Sequence, residues 1–131
     1  MDIRNGHEIL GWGERELEDI RFVGYSYLKQ GRYADALTFF ETLAVVSNNH
    51  LYDLRTLGAL YLETGNHLSA LDYLERALKI DETDGPTLLN RAKALLLLGY
   101  KKQGLAQSER LTENPDPHIA DGAQALRLAY S

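Results

Sequence analysis

The sequence has 131 residues, of which 44% are hydrophobic and 25% charged, a balance typical of one globular domain with its own core. The chain has no cysteine and a net charge of −5 without a basic run, which excludes disulfides and thiolate zinc sites and argues against nucleic-acid or anionic-membrane binding. No apolar run is long enough to span a membrane and no signal-peptide pattern opens the chain, so we expect a cytoplasmic protein.

Residues 1–13 form a short N-terminal arm in which no clear period is visible. The arm carries four large apolar side chains close to the terminus: Ile3, Ile9, Leu10 and Trp12. We expect these side chains either to fold back on the first helix or to contact a partner, which includes a second copy of the chain in a homodimer.

Beyond the arm, apolar residues recur at helical spacing, and glycine, asparagine or proline interrupts the pattern at regular intervals. The pattern predicts seven helices, which begin near Glu14, Tyr33, Leu51, His67, Pro86, Lys101 and Pro117. The last of them, over residues 117–130, has a single apolar stripe, as expected of a helix that caps the end of a stack. The predicted fold class is therefore all-α.

Small residues return with a period of 34 residues, as at Gly24, Gly58 and Ala92. This period resembles the tetratricopeptide repeat, a helix–turn–helix unit that stacks into a right-handed superhelix. The resemblance implies a single domain over 1–131, with repeats at 17–50, 51–84 and 85–114. The third repeat departs from the pattern, because Gly104 replaces the alanine and Ser108 replaces a large residue. We expect it to be the loosest of the three.

Residues that could carry chemistry are scattered. No two of the four histidines stand at a metal-ligand spacing, and no phosphate-binding loop, nucleophile motif or paired carboxylates are visible. We therefore expect no enzymatic activity, no metal and no cofactor.

The resemblance implies that the first helix of each repeat lines a concave groove. Its groove positions predict a peptide-binding site formed by Arg21, Tyr25, Leu28, Tyr52, Arg55, Ala59, Leu62, Leu89, Lys93 and Leu96. The apolar and aromatic members would receive spaced anchors of an extended or helical segment, and the three cations would hold its backbone or acidic side chains. The competing interpretation is that neighbouring repeats or the arm cover some of these leucines.

The groove does not resemble the carboxylate clamp that holds chaperone C-termini, because only Arg21 fits among the five positions that the clamp requires. A closer resemblance is to the small class II chaperones of bacterial type III secretion, which hold translocator proteins before export. The first repeat has their glycine–aromatic pair at Gly24 and Tyr25, and the third opens with their proline at Pro86. The resemblance implies a secreted protein client held in the groove. A chaperone for a needle or export-gate component and a scaffold in a larger assembly remain as alternatives.

Overall fold

The computed structural model describes residues 13–131, which form seven α-helices. Their bounds are α1 Glu14–Lys29, α2 Tyr33–Val46, α3 Leu51–Glu63, α4 His67–Ile80, α5 Gly85–Leu97, α6 Lys101–Leu111 and α7 Pro117–Tyr130. The predicted all-α fold is confirmed, with three helix pairs followed by one further helix. The predicted contacts of the apolar residues in the arm lie outside the described residues.

Glycine ends the first helix of each repeat. Gly31, Gly65 and Gly99 have φ angles of 75°, 85° and 92°, in the left-handed region that side chains other than glycine rarely adopt. This conformation reverses the chain within three residues, so the second helix of each pair folds back beside the first.

Aspartates begin two of the later helices, each with a proline one or two residues further on. The Asp84 carboxylate accepts a hydrogen bond from the backbone amide of Thr87 at 3.2 Å, which caps α5. Asp116 does the same for the amide of His118 at 2.9 Å, at the start of α7. A proline near the first position of each helix costs no hydrogen bond, because that backbone amide would have no helical partner.

The core follows the stacking of the repeats. A first cluster, which includes Leu17, Phe40 and Leu57, joins the first two helix pairs. A second cluster, with Leu74 and Ala94, joins α4 to α5. A third cluster consists of Leu111, Ile119 and Ala123, so α7 covers the open end of the last pair. Each helix pair therefore completes its core only against its neighbour.

Each pair of helices crosses closely at a glycine, but the third pair does so in the opposite sense. In the first pair, the Phe40 ring of α2 packs against Gly24 of α1, where an added Cβ would lie 2.9 Å from the ring. In the second pair, Leu74 of α4 packs on Gly58 of α3 in the same way. In the third pair the large residue comes from the first helix, because a Cβ at Gly104 of α6 would lie 2.6 Å from Cγ of Leu96.

The two departures of the third repeat are thus one coupled change. Leu96 fills the space above Gly104, and the small Ser108 on α6 is fully buried and donates a hydrogen bond to the Gly104 carbonyl at 2.8 Å. The glycine that the sequence pattern marks as a weakness accommodates a side chain from the facing helix. The expectation that the third repeat is the loosest therefore has no support in its packing.

Candidate functional site

The helices α3, α5 and α7 lie side by side, since α3 contacts α5 and α5 contacts α7, and a side-chain ion pair joins α1 to α3. Three open clefts lie between these helices in the described part of the chain. The N-terminal cleft, of about 600 Å³, is lined by Glu18, Asp19, Arg21, Phe22, Tyr25, His50 and Tyr52. The middle cleft, of about 220 Å³, is lined by Leu28, Tyr33, Ala59, Leu60 and Glu63. The C-terminal cleft, of about 160 Å³, is lined by Leu89, Asn90, Lys93, Gly122 and Leu126.

The N-terminal cleft exposes aromatic side chains. Phe22 is 72% exposed and Tyr25 is 43% exposed, although both are large enough to be expected in a core. Tyr52 forms the opposite wall, where its ring meets Phe40 edge-on with 6.1 Å between the centroids, and burial raises the pKa of its hydroxyl. Phe22 is not among the groove residues predicted from the sequence. The signal available there is that this aromatic residue lies one position away from the buried stripe of α1.

Arg21 is not the free, peptide-holding cation that the sequence predicted. Its side chain is 6% exposed, and its Nε and Nη2 donate to the two carboxylate oxygens of the fully buried Asp53 at 2.8 and 3.0 Å. Its Nη1 donates to Glu18 at 2.6 Å. The bond to Asp53 and the charges of both carboxylates raise the Arg21 pKa against the opposing effect of burial. A guanidinium so engaged ties α1 to α3 and is not free for a ligand.

Arg55 repeats this tie one repeat further on. Its Nη1 donates to Asp84 at 2.9 Å, and Asp84 is also the residue that caps α5. In both places an arginine in the first helix of one repeat binds a carboxylate at the start of the next first helix. Arg55 also lies over the Tyr52 ring, 5.8 Å from its centroid. The prediction that Arg55 lines a ligand-binding cleft is not supported by its position.

Two predicted groove leucines are core residues. Leu62 is buried in the cluster that joins the second and third repeats, and Leu96 packs against Gly104 with 4% of its surface exposed. Both differ from the prediction, because these positions turn toward a neighbouring helix and the hydrophobic effect favours burial there. Apart from Arg55, the other members of the predicted site line clefts: Arg21, Tyr25 and Tyr52 in the N-terminal cleft, Leu28 and Ala59 in the middle one, and Leu89 and Lys93 in the C-terminal one.

Neither a metal-binding cluster nor a membrane-spanning helix is found within residues 13–131. No three histidine or acidic side chains of this region stand close enough to hold an ion. None of its helices combines the length and apolar character needed to cross a bilayer.

A sequence model described as tetratricopeptide repeat matches residues 19–83. The chain is a tetratricopeptide repeat protein. The match spans the first two repeats, and a third helix pair follows them with its close crossing inverted at Gly104. A search of curated protein sequences found no match.

Solved structures similar to this tetratricopeptide repeat protein include components of type III secretion. A chain of a type III secretion complex from Aeromonas hydrophila has a TM-score of 0.84 and 18% identity, over 97% of this chain and 88% of that one. The translocator chaperone SycD from Yersinia enterocolitica has a TM-score of 0.81 and 16% identity, over 98% and 99% of the two chains. PcrH from Pseudomonas aeruginosa has a TM-score of 0.78 and 21% identity, over 90% and 93%. These likenesses establish the fold.

Proposed function

We propose that this protein is a chaperone of a type III secretion system, which holds a translocator-like export substrate in its groove. Three observations about similar proteins support the proposal. PcrH has been solved with the chaperone-binding regions of PopD and of PopB, and SycD with a peptide of the translocator YopD. All three match this chain over 88% or more of its length.

The observation that carries the proposal is the exposed aromatic surface of the N-terminal cleft. Phe22 and Tyr25 border a cavity of about 600 Å³, which can accept several side chains of another protein. Full burial of a phenylalanine side chain contributes about 1.5–3 kcal/mol, so a client segment that covers Phe22 gains a large part of its affinity there. The same burial keeps the apolar segment of the client away from water and from self-association.

The proposed work is binding rather than catalysis, and its place is the cytoplasm, where an export substrate is held before secretion. Two of the cations predicted for the groove, Arg21 and Arg55, are held in ion pairs between repeats and contribute to the structure of the groove. They keep the first helices in register, and the clefts between those helices keep their shape.

The test compares co-purification by the tagged wild-type protein and by the Phe22→Asp variant from a lysate of the source organism. Phe22 is highly exposed, so an aspartate there removes apolar contact area without opening the core. Val45→Asp is the matched control, since Val45 is 76% exposed and lies on α2, outside the three clefts. Helical circular dichroism verifies the folding of both variants.

We expect one stoichiometric substrate of a secretion system to bind the wild type and Val45→Asp, and to be lost from Phe22→Asp. If a needle or export-gate component is lost in the same way, the client belongs to that class and the groove remains its binding site. A fixed set of other proteins, retained equally by all three forms, would overturn the proposal in favour of a scaffold that uses another face.

A further inference from the structure

The N-terminal cleft is negatively charged. Glu18 and the buried Asp53 pair with the guanidinium of Arg21, and Asp19 adds a further carboxylate to the lining, so these four residues carry a net charge of −2. The Asp19 side chain is exposed and has no hydrogen-bond or ion-pair partner among residues 13–131. His50, which also lines this cleft, caps α3 by accepting a hydrogen bond at its Nδ1 from the Tyr52 amide at 3.2 Å.

The C-terminal cleft has the opposite sign. Lys93 is exposed there, and no carboxylate within the described residues pairs with its ammonium group. The other residues that line this cleft are uncharged: Leu89, Asn90, Gly122 and Leu126. A ligand that reaches both clefts therefore meets an acidic end and a basic end.

The aromatic rings of the N-terminal cleft reinforce its preference for a cation. Phe22 and Tyr25 border the same space as Asp19, and a cation over an aromatic face gains attraction from the ring. Lys29 already occupies this kind of position, with its Nζ 5.4 Å from the Tyr25 centroid. The Lys29 ammonium therefore lies about six residues, or roughly 9 Å along the helix, from Asp19, and it lowers the net charge around the cleft from −2 to −1. It occupies the Tyr25 ring and leaves the exposed ring of Phe22 for a cation of the client. The acidic end therefore keeps its sign.

The distance between the two clefts can be spanned by a short stretch of extended client chain. The N-terminal cleft lies between α1 and α3 and the C-terminal cleft between α5 and α7, which is two interhelix steps away. Packed helices such as α3, α5 and α7 are about 8–10 Å apart, and α1 is joined to α3 through the Arg21–Asp53 side chains, so the separation is at least roughly 16–20 Å. An extended chain rises about 3.3 Å per residue and covers this distance in about five or six residues.

We propose that the groove selects a client segment by the order of its charges, and this inference rests on the proposed function. The segment has lysine or arginine beside an apolar anchor in the N-terminal cleft, and aspartate or glutamate about six residues away in the C-terminal cleft. The reversed segment places a carboxylate against Asp19 and a cation against Lys93, so repulsion at both ends disfavours it. The charges thus set the direction in which the client lies across the repeats.

The test selects binders from a displayed library of random peptides of about twelve residues. The wild type is compared with the charge-swapped variant Asp19→Lys/Lys93→Glu, which keeps the net charge of −5. The matched control is Glu82→Lys/Lys102→Glu, which exchanges two exposed charges outside the clefts. Peptides whose binding the Phe22→Asp variant abolishes are counted as groove binders.

We expect wild-type groove binders to share one order of basic and acidic residues at the stated spacing. The charge-swapped variant should enrich the opposite order, and the control should match the wild type. For one selected peptide and its charge-exchanged partner, the affinity ratio measured by fluorescence anisotropy should be roughly fivefold to tenfold, and should fall toward one in 1 M salt.

The two proposals fail in different ways. Groove binders that show no charge order, or the same order for the wild type and the charge-swapped variant, would overturn the inference and leave the peptide-binding groove intact. A library in which no selected peptide depends on Phe22 would contradict the proposed function, and with it the inference.

Discussion

The ion pair between Arg21 and Asp53 offers the sharpest test of how the first two repeats are held together. Asp53 is completely buried, and it accepts two hydrogen bonds from Arg21 and a third from the Ser47 hydroxyl at 2.8 Å. The substitution Asp53→Ala removes this carboxylate and leaves the buried guanidinium with Glu18 alone. Loss of one partner of a buried pair costs about 3–5 kcal/mol, and the remaining bond to Glu18 favours the lower end of that range.

Urea unfolding followed by circular dichroism measures this loss. With a slope of about 2 kcal/mol per molar urea, a cost of about 3 kcal/mol lowers the midpoint by roughly 1.5 M. The double variant Arg21→Met/Asp53→Leu replaces the pair with apolar side chains, and we expect it to lose less than Asp53→Ala alone. Arg32→Met is the control, because the Arg32–Asp35 pair lies at the surface with both side chains about half exposed and should contribute less than about 1 kcal/mol.

Two results would refute this reasoning. A midpoint shift below about 0.5 M for Asp53→Ala would mean that the pair does not hold α1 against α3. A double variant whose loss equals the summed losses of the single variants Arg21→Met and Asp53→Leu would mean that Arg21 and Asp53 contribute independently, which their direct contact forbids.

Three further predictions concern other contacts. The hydrogen bond from Tyr61 to Glu41, with a smaller effect of burial, raises the pKa of Tyr61 to about 12. Because the unfolded value is about 10, the stabilisation is present below pH 10 and is lost as the pH rises toward 12. Glu41→Ala should move the phenolate absorbance of Tyr61 to lower pH and leave that of Tyr52, whose pKa burial raises, in place. Gly104→Ala should lower stability by about 1–3 kcal/mol in urea unfolding through overlap with Leu96, despite the better helix propensity of alanine; an increase would contradict the inverted crossing. Asp84→Ala should cost about 2 kcal/mol, because both a helix cap and a partner of Arg55 are lost, and an effect near that of a surface pair would be evidence against the tie.

Local chemistry was sufficient to locate the helices. Turn glycines such as Gly31 and Gly65, and the aspartate–proline start of α7, act on their own neighbours in the chain. Their positions are therefore readable from a few adjacent residues. The 34-residue period then indicates stacking, because a helix pair with one apolar side must bury it against the next pair.

The sequence alone could not assign the charged and apolar residues of the first helices to core or groove. Each such helix is covered by its own partner helix and by the neighbouring repeats, so apolar residues occur around most of its circumference. Only the packed structure shows that Leu62 and Leu96 face the core while Phe22 faces solvent. Only the packed structure pairs Arg21 with Asp53, which is 32 residues away in the chain. Helical periodicity reports which residues share a face, but the position of the neighbouring helices determines whether that face is buried, paired or open to a client.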